Sequence, residues 1–119
     1  MREKVEDEVQ IWGSWSPPID IRVSNNRMRI FVEVPGVDAS TLNLRIEGDR
    51  LIIEGRKMPP KAKRILFTER EYGDFFVMIK LNEDVSTDSV KAKLSHGVLE
   101  IEFKRFRRNF KVNLEEKDE

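Results

Sequence analysis

His96 is the single histidine of a 119-residue chain that contains no cysteine. Any nucleophilic or metal chemistry would therefore have to be built on His96 or on carboxylates alone. Its neighbours are Ser95 and Gly97, and no nucleophile stands at a motif spacing from it. There is no G-x-S-x-G, no phosphate-cradling glycine loop and no Cys/His ligand set. The acidic residues fall mostly on the polar positions of alternating stretches, where a solvated face accounts for them. No catalytic residue, metal site or cofactor is expected. The other chemistry to weigh is polyanion binding, from Lys104, Arg105, Arg107, Arg108 and Lys111 interleaved with Phe106 and Phe110. Glu115, Glu116, Asp118 and Glu119 follow at once and would oppose phosphate. A solubilising linker whose basic side chains snorkel over apolar surface is the expected role, with no nucleic-acid partner.

Composition narrows the remaining classes. Lys plus Arg and Asp plus Glu balance at 22 each, so no global field recruits nucleic acid or an anionic membrane. Charged residues make up 37% and hydrophobic residues 39%, which implies a compact core under strongly solvated faces. No apolar run approaches the roughly 18 residues that a membrane span needs, so no membrane partner is expected. The opening M-R-E-K-V-E-D-E-V is too acidic and too broken up for a secretory signal, and the lack of cysteine fits a reducing compartment. The expectation is a cytoplasmic protein of one domain with short extensions.

The elements that must do the positioning are strands. Val90, Ala92 and Leu94 share one face of an alternating run, with Lys91, Lys93 and Ser95 opposite. Leu99, Ile101 and Phe103 share a face of the next, with Val98, Glu100, Glu102 and Lys104 opposite. This period of two marks half-buried strands, and Ser95-His96-Gly97 reverses the chain between them, Gly97 supplying positive φ. Earlier, Ile19, Ile21 and Val23 predict a strand, Asn25-Asn26 a turn, and Met28, Ile30, Val32 and Val34 its partner, closed by Pro35-Gly36. Leu42, Leu44 and Ile46 alternate up to Gly48-Asp49, and residues 51–54 return. Residues 56–64, basic and holding Pro59-Pro60, read as a loop. The short apolar run Ile65-Leu66-Phe67-Thr68 could be a strand docked elsewhere. Phe75, Val77, Ile79 and Leu81 form one more strand. About eight strands and no domain-sized helix predict an all-β sandwich of immunoglobulin-like type.

Residues 1–16 form an arm in this reading, ended by Pro17-Pro18. Val5, Val9 and Trp12 allow a turn or two of amphipathic helix. Ile11, Trp12 and Trp15 either fold back onto the sandwich or form an exposed apolar contact segment.

Several segments, in order, resemble those of the small heat-shock proteins, whose shared unit is the α-crystallin domain. Pro18-Ile19-Asp20-Ile21 is similar to the P-x-D-I entry strand, and Val34-Pro35-Gly36-Val37 to the L-P-G-V step. Residues 48–55, G-D-R-L-I-I-E-G, resemble g-x-x-L-x-I-x-G, and residues 69–75, E-R-E-Y-G-D-F, resemble E-R-x-Y-G-x-F. Residues 92–99, A-K-L-S-H-G-V-L, resemble A-x-x-x-n-G-V-L. The likeness covers roughly residues 17–104. It departs at Val77, where many bacterial and plant members carry an arginine tied to the dimer interface. It departs also at Asn82 and Lys104, often prolines, and at His96, often asparagine.

The resemblance implies an ATP-independent holdase chaperone, acting on unfolded client proteins and assembling with itself as a dimer and a higher homo-oligomer. It implies a domain at 17–104 and a tail at 105–119 carrying Val112-Asn113-Leu114 in place of the family's I-x-I motif. Ile11, Trp12 and Trp15 are then client or assembly contacts. Leu42, Leu44 and Ile46 with Ala92 and Leu94 line a groove. Ile65, Leu66 and Phe67 form a loop strand that pairs with the neighbouring subunit, and Val112 and Leu114 dock in another subunit's groove. The alternative for residues 110–114 is an ordinary last strand of the same sandwich. A co-chaperone adaptor of the related CS-domain class, or another non-enzymatic β-sandwich interaction module, is the rival function.

Overall fold

The computed structural model describes residues 2–5, 8–106 and 112–117. Nine strands and one short 3₁₀ turn make two packed antiparallel sheets among these residues. The strands are β1 (Arg2–Val5), β2 (Val9–Gly13), β3 (Ile19–Val23), β4 (Arg27–Glu33), β5 (Asn43–Glu47), β6 (Arg50–Lys57), β7 (Gly73–Lys80), β8 (Val85–Ser95) and β9 (Val98–Arg105). The larger sheet runs in the order β1-β2-β7-β6-β5 and the smaller in the order β3-β4-β9-β8. The predicted sandwich is therefore the observed fold.

Alternation in the sequence becomes alternation in burial. Met28, Ile30 and Val32 of β4 oppose Phe103, Ile101 and Leu99 of β9 in register. All six are buried, while Arg29 and Glu102 of the same strands meet on the outer face. The larger sheet contributes Leu51, Ile53, Phe75, Val77 and Ile79 to the same core. Each inward side chain is worth roughly 1.5–3 kcal/mol on burial, so the two inner faces hold the sandwich shut.

The β8–β9 hairpin turns through His96 at φ 52° and Gly97 at φ 75°. Two consecutive left-handed residues are what a two-residue loop needs to match the strand twist. A Cβ on Gly97 would also press on Pro35 at 3.1 Å, so this glycine is fixed twice over. The far end of β8 carries an irregularity between Ser86 and Lys91. There the Ser89 hydroxyl donates to the Ser86 carbonyl at 2.6 Å and accepts from the Lys104 amide at 2.8 Å, replacing the missing ladder bonds.

One expectation is corrected. Where a helical turn was expected, residues 2–5 and 9–13 form β1 and β2, and β2 pairs with β7 from Val9↔Ile79 to Gly13↔Phe75. The spacing of Val5, Val9 and Trp12 suggested a helix, but Val9, Ile11 and Gly13 also alternate, and the exposed edge of β7 decides for strand. Ile65-Leu66-Phe67-Thr68 lies in the connection between β6 and β7 and joins neither sheet of this chain.

Candidate functional site

Among the described residues no group of three or more His, Cys, Asp or Glu side chains is placed to hold a metal ion. His96 sits exposed in its turn, its Nδ1 2.9 Å from the Ser95 hydroxyl. The ionic chemistry is cross-strand pairing on the outer faces. Arg56 Nε meets Asp74 Oδ1 at 2.5 Å, and this guanidinium holds the Asp74 carboxyl below its ordinary value. Arg45 is shared between Glu54 and Glu47, which together push its guanidinium further up. Asp38 caps the 3₁₀ turn, and the Ser40 hydroxyl and amide draw its carboxyl down. Glu54, Arg56 and Asp74 line an open depression with Trp12, Asn43 and Phe76, and the charges there are already paired with one another or with Arg45.

The informative surfaces are apolar. Leu44 and Ile46 lie opposite Ile53 and Leu51, so they point between the sheets, and Leu42 packs with them against the core, half-buried. Ala92 and Leu94 lie opposite Ile101 and Leu99 and point inward from the smaller sheet, yet Ala92 is exposed and Leu94 is 44% exposed. β5 and β8 are both edge strands. On the opposite rim, β2 and β3 come together around a cleft lined by Val9, Ile11, Pro17, Pro18, Ile19 and Ile21. Inward-facing apolar residues are left incompletely covered at both rims: Leu42, Leu44, Ile46, Ala92 and Leu94 where β5 and β8 end their sheets, and Val9, Ile19 and Ile21 at the other. The predicted groove residues are brought to the β5/β8 rim.

The other predicted residues divide. Ile65, Leu66 and Phe67 are 60%, 82% and 80% exposed, and Val112 and Leu114 85% and 95%. Val112-Asn113-Leu114 forms no strand in the described residues. Phe110 and Lys111, the start of the stretch for which an intrinsic last strand was the alternative, lie outside the described residues. The N-terminal trio splits by strand parity. Ile11, opposite Val77, and Trp15 are buried. Trp15 donates from Nε1 to the Gly73 carbonyl at 2.9 Å and packs edge-on to Phe75 under the Lys57 ammonium. Only Trp12 turns outward, against Phe76 with ring centroids 5.4 Å apart. As an exposed contact segment, Ile11 and Trp15 are corrected: their burial leaves Trp12 alone at the surface.

Two features escaped the sequence reading. Trp12 packs tilted against Phe76 because Trp12↔Phe76 is a register pair on the outer face of β2 and β7. The outer edge of β3, whose sole partner is β4, is unpaired among the described residues and carries Val23 at 58% exposure.

Comparison with known proteins agrees with this geometry. The family model described as Hsp20/alpha crystallin family matches residues 20–117. A small heat shock protein C4 of Rickettsia felis is 33% identical over 89 residues, covering 72% of this chain and 55% of the relative. Spore protein SP21 of Stigmatella aurantiaca is 30% identical over 86 residues, covering 70% of this chain and 51% of that one. The chain thus spans about half the length of the curated relatives it matches. Among solved structures, HSP18.5 from E. histolytica superposes with a TM-score of 0.72 at 30% identity, covering 85% of this chain and 98% of that one. A small heat-shock protein from Xylella fastidiosa gives 0.74 at 23% identity, with 88% and 99% covered, a likeness of fold.

Proposed function

The chain belongs to the Hsp20/alpha crystallin family, and from that premise we propose that it is an ATP-independent holdase chaperone of the cytoplasm, binding unfolding proteins and keeping them from aggregating. One observation carries the reading. Among the described residues, a well-packed sandwich leaves large apolar side chains in solvent at the β6–β7 loop, the β5/β8 rim, the tail and, with Val23, the β3 edge. A protein with a complete core has no folding reason to expose Leu66, Phe67, Val112 and Leu114, so these residues serve contacts between molecules. In this reading the loop segment 65–67 pairs with a neighbouring subunit, on an open strand edge such as that of β3, to make a dimer. Val112 and Leu114, two residues apart and therefore on one face of an extended strand, dock in the β5/β8 rim of another dimer. Burying the tail pair is worth about 3–6 kcal/mol gross, and ordering the tail and losing rigid-body freedom costs several of those. Each tail contact is weak singly, and several in a closed assembly act together.

Function follows by mass action. Tails that detach bare the rim for apolar segments of clients, and binding these lowers the free concentration of aggregation-prone chains. No bond is made or broken. The test is light scattering from a heat-aggregating client. Scattering should fall in proportion to added protein at near-stoichiometric ratios, equally with and without ATP. Unchanged scattering at a large molar excess would remove the holdase reading.

A further inference from the structure

The formal charge is zero over the whole chain, but the charges are segregated at two exposed places. Lys57, Lys61, Lys63 and Arg64 put four cations and no carboxylate into residues 57–64, and Glu115, Glu116, Asp118 and Glu119 put four carboxylates against Lys117 into the last five residues. Lys61, Lys63 and Arg64 are exposed, and Glu115 and Glu116 are exposed. Elsewhere on the sandwich the outer charges are matched across strands, as in Arg56 with Asp74, Arg27 with Glu102 and Lys93 with Glu100. Among the described residues no such pair engages Lys61, Lys63, Arg64, Glu115 or Glu116.

The basic loop begins at one end of the apolar rim. The Arg56 amide donates to the Thr41 hydroxyl at 2.9 Å, and its carbonyl accepts from the Asp38 amide at 3.2 Å. Thr41 is the residue before Leu42, and the Cβ that Gly55 lacks would lie 3.0 Å from the Leu42 Cδ2. The root of the loop is therefore fixed beside the Leu42 end of the row Leu42, Leu44, Ile46. The other end of the row, past Ile46, is the Glu47–Asp49 turn, whose two carboxylates already pair with Arg45 at 3.0 Å and Arg50 at 3.9 Å.

We propose that the loop of residues 57–64 is the docking surface for the acidic end of a second copy's tail. Val112 and Leu114 then lie in the rim with the tail's C-terminal end pointing toward Leu42. This rests on the reading of the tail as the assembly segment, and it adds the direction in which the tail lies. Two residues of extended chain span about 7 Å, so Glu116 reaches the loop root once Leu114 is seated next to Leu42. The reverse orientation puts Glu115 and Glu116 beside Glu47 and Asp49, whose arginines are already engaged, and away from the cations of the loop, so it gains no charge pairing. The apolar pair supplies the affinity, and the charges select one of two orientations that the pair alone would accept equally.

Sedimentation of the full chain with substituted charges tests this. Glu115→Lys with Glu116→Lys, or Lys61→Glu with Lys63→Glu, should each raise the concentration needed for assembly by about five- to tenfold, as expected for exposed charge pairs turned repulsive. The two reversals combined should restore it, and raising salt toward 1 M, where the Debye length is about 3 Å, should erase the differences. Because the chain has no cysteine, direction can be read separately. Oxidation of Glu116→Cys paired with Lys61→Cys should give a disulfide between subunits, and Glu116→Cys paired with Glu47→Cys should not. Crosslinking at Glu47 instead, or single reversals without effect, overturns the proposal. Val112→Gly with Leu114→Gly separates it from the underlying reading: assembly lost there but indifferent to charge reversal sinks only the orientation, whereas assembly retained sinks the tail contact itself.

Discussion

Arg105, the last residue of β9, grips one oxygen of Asp84, placing Nε at 3.0 Å and Nη2 at 2.5 Å from Oδ2. Its Nη1 reaches the Ser24 carbonyl, its amide donates to Asn26, and the next amide, of Phe106, donates to the Asp84 carbonyl at 2.6 Å. One residue thus ties the β3–β4 turn to the connection between β7 and β8 at the point where the chain leaves the sandwich. Both side chains are about three-quarters covered, so the pair is screened less than a surface ion pair.

Arg105→Ala is therefore expected to lower stability by about 1–3 kcal/mol in urea unfolding, the range for a charge-assisted hydrogen bond lost with its partner left in place. Asp84→Ala together with Arg105→Ala should cost less than the sum of the single changes, because no carboxylate is then left unpaired. Strict additivity would mean that the two groups do not interact.

The two tryptophans should behave oppositely. Trp15 is buried with its indole nitrogen satisfied, so Trp15→Ser removes core volume and strands the Gly73 carbonyl, costing about 3–5 kcal/mol. Trp12 lies half-buried on the outer face against Phe76, and Trp12→Ser should cost about 1 kcal/mol, in the range of a lost aromatic pair. Thermal unfolding followed by circular dichroism separates them. Equal losses would place Trp12 in the core as well.

The same pair shows where the sequence was legible and where it was not. Strands that alternate over three or more inward positions, such as Phe75-Val77-Ile79-Leu81 or Leu99-Ile101-Phe103, could be read directly, since the period of two is itself the condition for one buried face. Edge strands were harder. Val9-Gln10-Ile11-Trp12-Gly13 alternates for only five residues, and the apolar spacing of three and four that includes Val5 competes with it. What selects strand is the free edge of β7, a tertiary fact absent from any local window. Alternation in β5 and β8 showed which side chains face inward, but the groove itself came only with the family resemblance, and its incomplete cover depends on both strands ending their sheets at the same rim. Arg105 could not be found, because its partners at Ser24 and Asp84 are 81 and 21 residues away. In the sequence it looked like one more cation of a basic linker.

Acid should loosen the β6–β7 end of the larger sheet. Arg56 holds the Asp74 carboxyl below its ordinary value of 3.8, and a carboxyl depressed in the folded state contributes stability above its unfolded value. That contribution fades as pH falls through the folded value. Asp74 is solvent-exposed, so the effect is small and is best read as a difference. The gap in unfolding midpoint between the wild type and Asp74→Asn should be constant at neutral pH, narrow below 3.8 and close at the acid end. A gap that persists unchanged through the acid range would show that the Arg56 pairing does not depend on the carboxylate's charge.

The loop trio gives the sharpest test of assembly. Ile65, Leu66 and Phe67 expose most of their surface, yet they sit in a chain whose core is complete without them. An extended segment of this kind gains backbone hydrogen bonds and closes an open edge when it adds to another molecule's sheet. Burying the three side chains offers roughly 1.5–3 kcal/mol each, enough to exceed the cost of association when both subunits of a dimer exchange the contact. Ile65→Asp combined with Phe67→Asp replaces that gain with two carboxylates that would have to be desolvated. The expected product is a monomer in sedimentation, with the sandwich melting near the wild-type temperature because neither side chain belongs to the core. A double variant that melts normally but keeps its wild-type mass would move the dimer contact elsewhere. The outer face where Trp12 meets Phe76 is then the next surface to substitute.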